Sequence, residues 1–366
     1  MSKWSLCMIV KDEETVLRRC LESTGSLFDE IIIADTGSSD LTKEIARLFT
    51  DRIFDCDWQD DFAAARNFAF AKATGDYIMW LDADDVIPPG TLKALEEKKA
   101  DTNGADVIML PYETAFDEDG KATFSFYRER IIKRSPQCVW VGAVHEVIVP
   151  FGNITKLNAP IKHLKEKGYD GARNLRIYEK LLSRGEKLDA RHMYYYGREL
   201  LANGRYSEAE AVFSEFLARD DGWIENKLDA ARQLAFCRRA AGKPGELDAL
   251  LSALSYGAPR AELCCDIGRC FYERSELNAA VFWYRSALTA GTSDEGFISE
   301  ECKGFLPCIM LCLCCYGLGD IKKSFLYNEA AGAFRPRSPF YLKNKQFFRD
   351  VHGLYVSHDE HNADTK

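Results

Sequence analysis

The chain has 366 residues, 46% of them hydrophobic and 29% charged, with a formal net charge of −9. This is the profile of a soluble globular protein with room for two domains, and it excludes a nucleic-acid binder that relies on bulk positive charge. No run approaches the roughly 20 apolar residues that a helix needs to span a bilayer.

Met1 to Val10 carries one positive charge and too short an apolar stretch for a signal peptide, so a cytoplasmic protein is expected. Trp4 to Val10 is a short apolar strand, followed by Lys11-Asp12-Glu13-Glu14 and a helix to about Leu21. Glu30 to Ala34 is a second strand and ends in Asp35-Thr36-Gly37-Ser38-Ser39-Asp40, a run of turn formers and a helix cap. Leu41 to Phe49 has helical spacing, and Arg52 to Phe54 is a short third strand. Asp61 to Ala73 is rich in good helix formers.

Gly75-Asp76 turns the chain into Tyr77-Ile78-Met79-Trp80-Leu81, an apolar run that stops at Asp82, Asp84 and Asp85. A buried parallel strand is hydrophobic on both faces and charged where it leaves the sheet. Ligands of open α/β sheets sit beyond the carboxyl ends of strands. Two carboxylates one residue apart can share a hard divalent cation that also holds phosphates. A metal-diphosphate site is therefore expected here. The plain alternative is a solvated turn with a helix N-cap, which suits Asp85, close before Pro88.

A helix follows Pro88-Pro89-Gly90 and runs through about Lys99, and Val107 to Tyr112 is another strand. Arg128 to Lys133, Val139 to Val149 and Ile154 to Leu164 read as shorter strands, two of which carry His145-Glu146 and His163. Alternating strands and helices predict a mostly parallel sheet with right-handed crossovers. The charged run Asp117-Glu118-Asp119 beside Gly120 reads as a hairpin tip.

After Gly168 the pattern changes. Ala172 to Phe347 has helical periodicity almost throughout, and Gly197, Tyr206, Ala209, Phe213 and Phe216 have the spacing of a tetratricopeptide unit. Gly268, Leu277, Ala280, Tyr284 and Ala287 repeat that spacing, with weaker copies around Leu247 to Leu254 and Ile321 to Ala331. A period near 34 residues means stacked helix pairs, each burying the face its neighbour exposes. The expected division is 1–168 as an α/β domain and 169–366 as an all-α helical repeat domain, for acceptor binding or dimerisation. Most of the 13 cysteines fall in these helices, where buried thiols are the expected state.

Residues 4 to about 165 resemble the family 2 glycosyltransferases, which have the GT-A fold. The resemblance lies in Met8-Ile9-Val10-Lys11-Asp12-Glu13-Glu14, Ala34 to Asp40, Ala65-Arg66-Asn67 and Gly75 to Asp85, in the family's order. The later Trp140 to Glu146 and the helical tail resemble the subgroup of bacteriocin peptide S-glycosyltransferases of the sublancin type. The family implies a UDP-sugar donor whose diphosphate leaves with negative charge, and Asp82 and Asp84 would hold the Mn²⁺ or Mg²⁺ that neutralises it. It further implies Asp35 as the acceptor of a uracil hydrogen bond, Glu13 and the main chain near Val10 along the nucleoside, and Arg66 near the nucleotide. His163 would complete the metal shell, with Lys165, Tyr169 and Arg173 on the segment folding over the donor.

An inverting transfer needs a base for the acceptor proton. Glu146 fits that role, with His145 orienting a group or meeting the phosphates. Strand alternation points adjacent side chains to opposite faces, so both share a site only if the backbone bends there. The expected function is a metal-dependent inverting transferase moving a hexose to a peptide or protein side chain, cysteine or serine. Tyr194-Tyr195-Tyr196 and Trp223 would be contacts for that acceptor, though repeat aromatics are more often core. The rivals are a saccharide or lipid-linked glycan acceptor, or a non-catalytic repeat scaffold with a degenerate transferase domain. A nucleotidyltransferase would need a basic, glycine-rich loop where Val10 to Glu14 is acidic.

Overall fold

The computed structural model describes residues 2–117, 120–165, 170–290 and 298–355. Glu118, Asp119 and Tyr169 lie outside the described residues.

The first strands follow the apolar runs: β1 (Trp4–Val10), β2 (Glu30–Asp35), β3 (Ile53–Asp55) and β4 (Tyr77–Trp80). They lie side by side in parallel in the order β3-β2-β1-β4. Alternation divides their side chains between two cores. Trp4, Leu6, Met8, Val10, Tyr77 and Met79 are buried on one face, and Cys7, Ile32, Ala34, Ile78 and Trp80 on the other. Helices α1 (Leu17–Ser23) and α2 (Thr42–Ala46) connect these strands, and α3 (Phe62–Phe70) packs on the second face. Asp61 caps α3 by accepting a hydrogen bond from the backbone N–H of Ala64 at 2.8 Å.

The sheet continues through β5 (Asp85–Val86) and, after helix α4 (Pro89–Ala100), through β6 (Val107–Phe116) and β7 (Ala122–Lys133). Then come β8 (Trp140–Val141), β9 (Val147–Ile148), β10 (Ile154–Lys156) and β11 (Ile161–His163). The sheet order onward from β4 is β7-β6-β11-β5, with β4–β7 and β11–β5 antiparallel. Strand is not continuous from Val139 to Val149. β8 and β9 form a separate antiparallel pair, and the chain between them turns at Gly142 (φ 95°) and His145 (φ 51°). The expected strand from Ile154 to Leu164 likewise breaks into β10 and β11, both parallel to β6.

The rest of the described chain is almost all helix. It comprises α5 (Arg173–Ser183), α6 (Ala190–Ala202), α7 (Tyr206–Leu217), α8 (Ile224–Ala240), α9 (Glu246–Ser252), α10 (Ala261–Glu273), α11 (Leu277–Thr289), α12 (Phe305–Gly317), α13 (Ile321–Phe334) and α14 (Pro339–His352). The repeat glycines are sites of close approach. A Cβ on Gly197 would lie 2.7 Å from the Phe213 ring, and one on Gly268 would lie 3.0 Å from the Tyr284 ring. The same glycine–aromatic contact thus closes both α6–α7 and α10–α11. Tyr194 is fully buried against Phe213 and Phe216, so it is core, while Trp223 is half exposed.

Contacts divide the chain later than periodicity does. α5, α6 and α7 belong to the same compact unit as the sheet, which extends to Asn226; the helices from Lys227 onward form the second unit, together with Phe116–Thr123. All 13 cysteines are free, and among the described residues only Cys56 is less than buried. No described helix is long and apolar enough to cross a membrane. Asp117 accepts the backbone N–H of Lys121 at 2.8 Å and makes a turn.

Candidate active site

The acidic tip of β4 is organised by its least exposed member. Asp85 is fully buried. Its Oδ2 accepts the backbone N–H of Asp82 at 2.9 Å, and its own N–H donates to the Asp82 carbonyl at 3.0 Å, which locks residues 82–85 in a turn. Arg130 Nη1 donates to Asp85 Oδ2 at 2.9 Å, and the Tyr112 hydroxyl donates to Oδ1 at 2.8 Å. The solvated-turn reading of Asp85 is therefore corrected. It is a buried, ion-paired anchor, and the N-cap position of α4 is Pro88. The Arg130 guanidinium lies 3.7 Å from the Trp80 ring centroid and 4.2 Å from that of Tyr112.

With Asp85 turned inward, Asp84 faces outward. The β5–β11 ladder pairs His163 with Asp85, and the Leu164 N–H donates to the Asp84 carbonyl at 3.0 Å. His163 Nδ1 then lies 3.2 Å from Asp84 Oδ1, 3.3 Å from Asp85 Oδ1 and 2.7 Å from the Tyr112 hydroxyl. Burial disfavours charge on this imidazole, but hydrogen bonds to Asp84 and Asp85 outweigh burial and raise its pKa to about 9. Ligand atoms of Asp84, Asp85 and His163 all lie within 4.8 Å of one another, as one cation requires. Carboxylate oxygens suit Mn²⁺ or Mg²⁺, so Asp84 and Asp85 fit the metal that the sequence implies, and the His163 nitrogen beside them favours Mn²⁺ of the two. The Asp85 carboxylate already meets Asp82 N–H, Arg130, Tyr112 and His163, which leaves Asp84 as the less engaged carboxylate of the cluster.

Asp82 points elsewhere. Arg66 Nη2 donates to its Oδ1 at 2.8 Å, and Arg66 Nε donates to Glu146 Oε1 at 2.6 Å. Arg66 reaches both because the alanines of α3 let that helix lie close on the Trp80 face. Its guanidinium lies 4.9 Å from the centroids of both Trp80 and Trp140. Burial opposes its charge, yet Asp82 and Glu146 outweigh burial and keep it protonated. Burial likewise works against charge on Asp82, and Arg66 and Arg130 overcome it, so its carboxyl titrates well below the usual range. Arg66 Nη1 remains buried without a partner.

Asp35 is buried at the tip of β2. Its Oδ2 accepts the N–H groups of Gly37 and Ser38 at 3.1 and 3.0 Å, while Oδ1 is buried with no partner. Beside it, the Val10 carbonyl accepts both the N–H and the hydroxyl of Thr36, at 2.9 and 3.1 Å. The Glu13 N–H bonds Thr42 Oγ1 at 2.6 Å, and Asp40 accepts the Thr42 N–H in the turn role expected of it.

His145 and Glu146 part company at the bend. Glu146 turns to Arg66, whereas His145 Nε2 lies 2.6 Å from Glu199 Oε1 on α6, its ring stacked on Tyr195 at 4.2 Å. Burial lowers the pKa of His145 despite the bond to Glu199, so the neutral ring donates Nε2–H to the carboxylate. His145 therefore faces the helix rather than the acidic cluster. Arg173, expected on a covering segment, opens α5 with its guanidinium 4.7 Å from the Phe62 ring centroid.

Tyr112, Arg130 and Glu199 were not singled out from sequence. The available signal was Arg128-Glu129-Arg130 running straight into the buried Ile131 and Ile132. No local pattern marks Glu199.

Residues 5–150 match the model of glycosyl transferase family 2. Beyond that class, the chain is 36% identical over 148 residues to a TPR repeat-containing protein of Synechococcus elongatus, covering 40% of this chain and 36% of that one. It is 27% identical over 208 residues to the SPbeta prophage-derived glycosyltransferase SunS of Bacillus subtilis, covering 53% of this chain and 48% of SunS. The match thus spans half or less of these relatives' own length. Among solved structures, glucosyl-3-phosphoglycerate synthase from Mycobacterium tuberculosis with Mn²⁺ and UDP-glucose overlaps 52% of this chain and 81% of its own. The TM-score is 0.36, with 16% identity.

Proposed function

We propose that this protein is an inverting, metal-dependent glycosyltransferase that moves a hexose from a UDP-sugar to a peptide or protein side chain, a cysteine or serine, in the cytoplasm. The observation that carries the reading is the convergence, at one end of the sheet, of an Asp84–His163 pair with an Asp82–Arg66–Glu146 chain whose arginine is buried. Asp84 and His163 would hold Mn²⁺ or Mg²⁺, with Asp82 at the same rim. When bound, that ion stabilises the diphosphate as a Lewis acid.

The chain's own groups supply the rest. The unpartnered Asp35 Oδ1 is an acceptor suited to the uracil N–H, with Glu13 and the Val10 main chain on the same wall. Arg66 ties Asp82, on the donor side, to Glu146, so the two carboxylates keep a fixed separation. Glu146 takes the acceptor proton as the nucleophile attacks opposite the diphosphate. A thiol, with an ordinary pKa of about 8.5, asks least of such a base. The helices from residue 169 onward would grip the acceptor chain or pair two copies, as stacked helix pairs offer extended surfaces.

The test is incubation of the purified protein with UDP- and GDP-sugars, Mn²⁺ and candidate peptides, followed by mass measurement of the products. A hexose added from UDP-sugar only when metal is present is the expected result. Turnover that is indifferent to chelation, or that prefers GDP-sugars, would overturn the reading.

A further inference from the structure

The bend carrying Glu146 is held from outside the family-matched residues. His145 has φ 51°, a strained region for a non-glycine residue that persists only where the surroundings impose it. The Phe62 N–H donates to the Ala143 carbonyl at 2.9 Å and Arg128 Nη2 donates to the Glu146 carbonyl at 3.3 Å, while the polar contacts of His145 itself come from one helix. From α6, Glu199 Oε1 takes His145 Nε2 at 2.6 Å, Tyr195 stacks on the ring, and Arg191 Nη2 donates to the His145 carbonyl at 3.1 Å. The same helix presses on the start of the bend, where a Cβ on Gly142 would lie 2.3 Å from His192 Nε2. Asn174 on α5 donates to Glu199 Oε1 at 3.1 Å and fixes that carboxylate in turn. The residue after His145 is Glu146.

We infer that Glu199 is a positioning residue for transfer: through His145 it fixes the bend that aims Glu146, so α6 is part of the catalytic unit. The inference rests on the reading of Glu146 as the base. Glu199 touches no reacting atom. Its effect is geometric, since a misplacement of about 1 Å can cost a hundredfold in rate. A glutamine in its place keeps an oxygen for His145 and Asn174, and an alanine does not.

The experiment compares Glu199→Ala, Glu199→Gln and Glu146→Gln in the full chain. Hydrogen exchange of residues 142–148, calorimetric binding of UDP with Mn²⁺, and kcat for transfer are measured on each. Glu199→Ala is expected to speed exchange at 142–148 but not in β1, and to lower kcat about tenfold or more. UDP affinity should stay within about twofold, and Glu199→Gln should recover most of kcat, because binding and geometry are separable here. Lost thermal stability with wild-type kcat would make Glu199 merely structural and overturn the inference. Wild-type kcat in Glu199→Ala beside a large loss in Glu146→Gln would do the same. Wild-type kcat in Glu146→Gln would instead fault the base reading alone. If Glu199→Ala does not fold, Arg191→Ala, which removes the donor to the His145 carbonyl, should slow transfer in the same sense, and an unchanged kcat there overturns the inference.

Discussion

The acidic tip and the Gly142–Glu146 bend are built in opposite ways. At the tip, Asp82, Asp84 and Asp85 come from one strand end, and His163 arrives by a single ladder with β5. At the bend, Arg66 from α3 meets Glu146, and Glu199 from α6 meets His145, only after the chain has folded. The carboxylates proposed to face the metal can thus be read locally in a sequence. The group proposed as the base is assembled from distant segments, and its supports carry no motif.

The largest expected effect lies at the tip. Asp84→Ala should lower transfer by about three powers of ten, roughly 4 kcal/mol of transition-state stabilisation, with the fold intact by circular dichroism. The buried anchors of the turn, Asp85 and Arg130, stay in place in that variant. Near-normal turnover with Mn²⁺ would break the contrast, because the outward carboxylate would then do no chemistry.

Next comes the bend. Glu146→Gln should cut kcat about a hundredfold, the usual worth of a positioned base, while UDP binding stays near wild type. Equal losses in rate and UDP affinity would place Glu146 with the nucleotide instead. Removing one carboxylate from buried Arg66 also has a structural cost, which the isosteric amide keeps small.

This contrast decides how much was legible. The strand-and-helix order up to Lys99 follows the apolar runs closely, because parallel strands buried on both faces read as continuous hydrophobic stretches. The helix pairs α6–α7 and α10–α11 were legible because a fixed spacing repeats; the glycine–aromatic contacts that close them emerge from the structure. Asp85 misled, because an aspartate after a strand looks like turn chemistry whether or not an arginine waits 45 residues on. The span Val139 to Val149 misled too, since its apolar residues fit a strand while Gly142 and His145 take positive φ. Glu199 was invisible, because its role exists only in the packing of α6 on that bend.

Smaller effects separate the two helix pairs. Gly197→Ala drives a methyl to within 2.7 Å of Phe213, and Gly268→Ala places one 3.0 Å from Tyr284. Overpacking of this kind costs about 1–3 kcal/mol, so both should lower the thermal midpoint, the first more than the second. Only Gly197→Ala disturbs α6, so only it should also reduce kcat. A rate loss in Gly268→Ala alone would reverse the assignment of α6 to the catalytic unit.

A pH signature sets one histidine of each region against the other. His163 at the tip has its pKa raised from 6.5 to about 9, burial being outweighed by Asp84 and Asp85. A raised folded pKa means the folded state holds the proton more tightly. Its stabilisation is complete below pH 6.5 and is lost as pH rises through about 9. His145 at the bend is shifted down from 6.5 by burial, so its contribution is present above pH 6.5 and is lost as pH falls below it. In chelator, denaturant unfolding across the pH range should therefore show both limbs. His163→Gln should flatten the alkaline limb alone, and His145→Gln the acid limb alone. Loss of the same limb in both variants would mean that the two histidines titrate as one network, and the division of the site into two regions would fail.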